Sequence, residues 1–178
     1  MPVKSMHDLF VEELRDIYHA EKQITRALPK MAKAATTPEL KQAFELHLEQ
    51  TRGQIERLDQ VFEQLDLPKR AKKCEAMEGL LEEARAAMEE IEDATVLDVG
   101  MIINAQKVEH YEIAGYGSLV ALAKQLGHDE VAQLLDETLA EEKETDRKLN
   151  EVALTVTNAG AGEQAKGSQT ERRAAARR

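Results

Sequence analysis

The chain has little of what most folds and enzymes lean on. Its 178 residues include one cysteine, Cys74, which excludes an internal disulfide and a cysteine-based metal cluster and suits a reducing compartment. Tryptophan is absent, and three Tyr and three Phe bring the aromatic share to 3%. Four Pro and nine Gly are too few for the many turns of a sandwich or barrel, and far too few for collagen. No apolar run approaches the roughly 20 residues that span a bilayer. The opening segment 1–14 turns amphipathic at once and lacks the apolar stretch of a signal peptide. There is no Gly-rich phosphate loop and no nucleophile elbow, so transferase, protease and nucleotide-binding roles have no support, and no organic cofactor is expected. These absences point to a cytoplasmic protein with no membrane partner.

What fills the space is charge and helix-forming residues. Charged side chains make up 33% of the chain, and Ala, Leu, Glu, Lys, Gln and Arg dominate. The net charge is −10, and outside the last twenty residues it is −13, from 19 basic and 32 acidic groups. Such a body repels nucleic acid. Residues 159–178 differ, with Lys166, Arg172, Arg173, Arg177 and Arg178 against two Glu. They hold no apolar residue larger than Ala and read as a basic disordered tail. A weak, tail-mediated contact is the one route to nucleic acid that the sequence leaves.

Residues 1–158 read as an all-α bundle. Ser5 and Asp8 form a capping-box pattern, followed by helically spaced Leu14, Ile17, Ile24 and Leu28. Pro29 is expected to kink this helix or relax its last turns. Pro38 opens a second helix that carries Phe44, Leu48, Leu58 and Phe62 and stops before Pro68. The basic stretch 67–73 then leads to a short helix near 75–92. Thr95 with Asp98 reads as a second capping box, and the helix behind it runs to about Gln125. Gly127 ends it, and a fourth long helix starts near Asp129. Two short links and one long link imply two antiparallel hairpins joined by a crossover with its own helix. A shift of 91 residues pairs His19 with His110, Glu21 with Glu112, Leu28 with Leu119, Leu48 with Leu139 and Leu58 with Leu149, as if one hairpin had been duplicated.

The carboxylates divide by face. At about 100° per residue, Glu21 sits at the centre of the first apolar stripe, Glu112 at the centre of the third and Glu142 in line with Leu135 and Leu149. Glu109 and Asp146 lie beside them, and helix two turns His47, Thr51 and Gln54 inward. Glu21, Thr51, Glu112 and Glu142 fall near the middle of their helices, so antiparallel packing brings them to one level. Burying an unpaired carboxylate costs several kcal/mol or forces protonation. Arg15, Lys22, Arg26, Arg52, Lys107 and Lys143 all point well away from the stripes. The remaining remedies are protons, water or bound cations, and oxygen ligands with one imidazole suit iron or manganese. His47 taken alone reads as a structural histidine. Tyr18 and Tyr116 read as core tyrosines with satisfied hydroxyls, and His19 and His110 as surface or dimer contacts.

The segments DIYHAEKQITRALPKMA (16–32), HLEQTRGQIERLDQVFE (47–63), CEAMEGLLEEA (74–84), QKVEHYEIAGYGSL (106–119) and EEKETDRKL (141–149) carry a resemblance. Over about residues 3–156 the chain resembles the YciF/YciE-type bacterial stress proteins, a ferritin-like family. The resemblance implies a ferritin-like four-helix bundle, homodimers, a di-metal carboxylate centre and expression under osmotic or general stress. Ferritin-like di-iron proteins take one Glu from each of two helices and a Glu-x-x-His from each of the other two. Glu21 and Glu112 match the single-Glu positions and Glu142 matches one paired Glu. Thr145 stands where its His belongs, and Thr51 and Gln54 replace the other pair. With Glu109, Asp146, His47 and Gln54 as further candidate ligands, the expectation is two iron or manganese ions, or one. Peroxide or oxygen redox and metal sequestration both follow from such a site. The alternative is a non-catalytic helical dimer whose vestigial metal site only serves a structural or interaction role.

Overall fold

In a computed structural model of the chain, residues 3–175 are described, with side chains over residues 3–157. Five helices follow one another: α1 (Met6–Ala34), α2 (Pro38–Gln64), α3 (Glu75–Glu90), α4 (Ala94–Gln125) and α5 (Asp129–Ala175). The four long ones close a ring, α1 against α2, α2 against α5, α5 against α4 and α4 against α1. The crossover helix α3 lies outside that ring, against α4 and α1. The backbone of α5 is helical through the stretch expected to be a disordered tail, up to Ala175. Its Ala, Glu, Gln and Arg residues all favour helix, and the side chains of 158–178 lie outside the described residues.

Local chemistry explains the breaks. Ser5 Oγ accepts from the amide of Asp8 at 3.0 Å and starts α1. α1 continues five residues past Pro29, which removes one amide donor without ending the helix. Thr37 precedes Pro38 at the start of α2. After α4, Gly127 adopts a φ of 79°; its amide reaches Lys124 O at 3.1 Å and that of His128 reaches Ala123 O at 2.9 Å. This Schellman turn needs the left-handed backbone that glycine supplies at no steric cost.

One expected cap is corrected. α4 is started by Asp93, whose Oδ1 accepts from Val96 N at 2.9 Å, not by Thr95 with Asp98. Asp98 is buried and faces the α1–α2 turn. Its carboxylate accepts from Thr36 N, Thr37 N and Thr36 Oγ1, each at 2.8 Å. The crossover is tied along α1 in a similar way. Lys72 N donates to Arg15 O at 3.0 Å, Cys74 N to His19 Nδ1 at 3.1 Å and Gln23 Nε2 to Cys74 O at 3.2 Å. His19 therefore holds the chain's own connector, contrary to the surface role expected of it, whereas its repeat partner His110 is exposed.

Candidate metal centre

Phe10, Leu14 and Ile17 from α1, Phe44, Leu58 and Phe62 from α2, and Met101, Leu119 and Leu135 from α4 and α5 fill the core. In its middle the apolar packing is interrupted by one polar layer. Glu21, Glu109, Glu112 and Glu142 are all fully buried, with His47, Thr51 and Gln54 beside them. α1 contributes Glu21, α2 contributes His47 and Gln54, α4 contributes Glu109 and Glu112 one turn apart, and α5 contributes Glu142. Matched depth in four packed helices brings them together.

His47, Glu109, Glu112 and Glu142 form the inner group, with one ligand atom from each lying within 4.8 Å of all the others. His47 Nδ1 is 3.1 Å from Glu109 Oε1, and its Nε2 is 3.8 Å from Glu142 Oε2. Gln54 Nε2 donates to Glu142 Oε1 and, at 3.2 Å, to Glu141 Oε2. Glu21 stands next to this group and accepts from the buried Tyr116 hydroxyl. Of the sequence-derived candidates, Asp146 is the one placed at the rim. It is partly exposed, with Oδ1 3.4 Å from His110 Nε2 and 3.4 Å from Gln106 Nε2. Tyr18 and Tyr116 are core tyrosines as expected, the first donating to Asp59 at 2.6 Å.

The layer is electrostatically unfinished. Both oxygens of Glu109, both of Glu112, Glu21 Oε2, Glu142 Oε2, Gln54 Oε1 and His47 Nε2 are buried without a hydrogen-bond partner. Only Arg15 Nε and Thr37 Oγ1 share that condition elsewhere among the described residues. Burial, followed by repulsion from Glu142, holds the Glu21, Glu109 and Glu112 carboxyls well above the ordinary range. Burial also pushes Glu142 up to about 7, against the pull of the Gln54 hydrogen bond and of the Arg57 charge. Burial lowers His47 to about 4, so near neutral pH it is the uncharged imidazole that ligates metals. It therefore supplies no positive charge to the carboxylates.

The nearest cation is Arg57, a residue the sequence reading does not single out. Its guanidinium is 2.7 Å from Glu141, 3.4 Å from Glu137 and 2.5 Å from Thr138 Oγ1, so its hydrogen bonds are made at the edge of the layer. The available signal was its place three residues after Gln54, which brings it to the flank of the inward stripe. A divalent cation fits what remains: buried, unpartnered oxygens and one neutral imidazole converging on one point.

Residues 5–162 match the family described as Domain of unknown function (DUF892). The chain is 53% identical over 159 residues to Protein YciF of Escherichia coli K12, covering 89% of this chain and 96% of that protein. The chain belongs to the DUF892 family. The crystal structure of the Escherichia coli stress protein YciF superposes with a TM-score of 0.85, covering 88% of this chain and 99% of that one. The YcfI protein of Rhodopseudomonas palustris, 51% identical, gives a TM-score of 0.82 over 83% of this chain and 94% of its own. A more distant protein of Xanthomonas campestris, 27% identical, still gives 0.69 over 90% and 98%. The all-α bundle is thus shared with a protein identical to this chain at about a quarter of its positions.

Proposed function

We propose that this chain is a stress-associated, cytoplasmic, homodimeric metal-binding protein whose buried layer holds iron or manganese. The observation that carries the reading is the convergence of His47, Glu109, Glu112 and Glu142 on one point, with carboxylate oxygens that no protein group satisfies. Iron or manganese at that point would supply one-electron redox chemistry toward peroxide or oxygen, or would simply be stored. The protein's own residues do the rest. Glu109, Glu112 and Glu142 supply negative oxygens once their protons leave, and His47 supplies a neutral nitrogen. Gln54 and Tyr116 orient Glu142 and Glu21 by hydrogen bonds. Glu21 Oε2 and Gln54 Oε1, both buried and without a partner, are the candidate ligands to a second ion. Asp146, partly exposed at the rim, provides an acidic approach for cations.

The direct test is metal analysis of protein purified without chelator and reconstituted with ferrous or manganous ion. The expected result is at least one equivalent per chain for the natural sequence, and a large loss for the Glu112→Ala/Glu142→Ala double variant. Wild-type uptake by that variant would sink the reading and favour the non-catalytic alternative.

A further inference from the structure

Two carboxylates decide which way the Gln54 amide is turned. The side chain is buried, and its Nε2 donates to Glu142 Oε1 and, at 3.2 Å, to Glu141 Oε2. A primary amide has two N–H donors, so both are used. Its Oε1 stays buried without a partner. Rotated by half a turn, the amide would set that oxygen against two carboxylate oxygens, acceptor facing acceptor. The orientation therefore lasts only while both carboxylates keep their places. Glu142 is fully buried inside the layer, but the Glu141 side chain is 33% exposed and needs an anchor.

Arg57, about one turn after Gln54 on α2, is that anchor. Its Nη2 donates to Glu141 Oε1 at 2.7 Å and its Nη1 to Glu141 Oε2 at 3.2 Å, a two-pronged grip suited to the planar guanidinium. Nη1 also donates to Thr138 Oγ1 at 2.5 Å, and Nε lies 3.4 Å from Glu137 Oε2. Among the described residues no other cation pairs with Glu141. A chain of contacts thus runs from Arg57 through Glu141 to Gln54 and ends on an oxygen with no partner. We infer that Arg57 and Glu141 are positioning residues, which hold the Gln54 carbonyl oxygen ready as a neutral ligand to the second ion. This rests on the metal-binding reading for its purpose, though the orientation of the amide can be tested without metal. A hard, uncharged oxygen of this kind suits manganese.

Arg57→Met separates positioning from plain charge, because the two act in opposite directions. Taking a positive charge away from a cation site should by itself tighten binding, whereas losing the grip on Glu141 should loosen it. In a manganese titration the variant is expected to bind the second ion about ten-fold more weakly, a typical cost of losing an outer partner of a metal ligand. The first ion should bind no more weakly than before. Gln54→Leu should lose the second ion, and Arg57→Lys, which keeps the charge without the fork, should regain part of the affinity. Unchanged or tighter binding of the second ion in Arg57→Met overturns the inference. Equal weakening of both ions overturns it as well, and so does a natural chain that takes up a single ion. The metal-free protein gives an independent readout by nitrogen-15 NMR. Both Gln54 amide protons should resonate downfield of those of the exposed Gln125. In Arg57→Met the proton facing Glu141 should move back, while the backbone amides of α2 keep their protection from exchange. Amide shifts that the substitution leaves in place overturn the inference, whether or not the protein binds metal. A protein that takes up no manganese defeats the metal-binding reading, and the amide shifts still decide the positioning.

Discussion

Glu21 and Tyr116 show how finely the layer is balanced. Glu21 Oε1 accepts from the Tyr116 hydroxyl, while Oε2 has no partner at all. Burial first, then the neighbouring Glu21 and Glu112, push the Tyr116 phenol far above its ordinary value, so it stays a donor at any working pH. Tyr116→Phe would leave both Glu21 oxygens buried and unpartnered. Losing a hydrogen bond to a buried carboxylate costs about 1–3 kcal/mol. At about 2–4 °C per kcal/mol for a chain of this size, the metal-free thermal midpoint should fall by a few degrees. An unchanged midpoint in calorimetry would mean that Glu21 is satisfied by something other than Tyr116. Thr51 needs no such help, since its hydroxyl donates to His47 O at 2.9 Å within its own helix.

At the scale of the elements, the joints between helices carry stability that their apolar stripes do not reveal. Asp98 on α4 binds the α1–α2 turn through three hydrogen bonds, and it is the group that fixes that turn against the second hairpin. Asp98→Ala would orphan two backbone amides and is expected to cost about 2–4 kcal/mol. Asp98 sits about three turns before Glu109 on α4 and takes no part in the contacts of the polar layer, so metal uptake per folded chain should not change. Urea melts alongside metal analysis check both halves of that statement. The stripes themselves were readable, because a repeat near 3.6 residues and mid-helix depth are local properties. That is why Glu21, Glu109, Glu112 and Glu142 could be named as inward from one sequence. Asp98 was misread because Thr95-x-x-Asp98 has the spacing of a cap, and only the rotation of α4 shows that its carboxylate faces a different turn. Arg57 and the His19–Cys74 contact were hidden for the same reason. Each depends on how two elements distant in sequence are turned toward each other.

For the whole molecule, the same layer sets how stability follows pH. Glu21, Glu109 and Glu112 are raised well above the usual 4.5, and Glu142 is raised to about 7. Between about 4.5 and 7 the folded metal-free chain therefore holds protons that the unfolded chain has released, and folding weakens as pH rises. His47 acts in the opposite direction. Its pKa falls from 6.5 to about 4, so its contribution grows as pH rises through that interval. The Glu142 and His47 terms roughly offset each other, which leaves Glu21, Glu109 and Glu112 to decide the sign. Arg57 and Tyr116, both raised, face these groups from the surrounding helices and keep their protons across the window, and Glu141 and Asp146 lie at the edge of the layer. The metal-free thermal midpoint should thus be higher at pH 5 than at pH 7.5. Saturating manganese needs the carboxylates ionised, so it should shrink or reverse that difference. The general repulsion of a chain with net charge −10 acts in the same direction, and the Glu112→Gln/Glu142→Gln variant separates the two. That variant keeps nearly all of the surface charge and should show a much flatter profile. A metal-free midpoint that climbs between pH 5 and 7.5, or a variant as steep as the natural chain, would show that the buried carboxylates do not govern the balance.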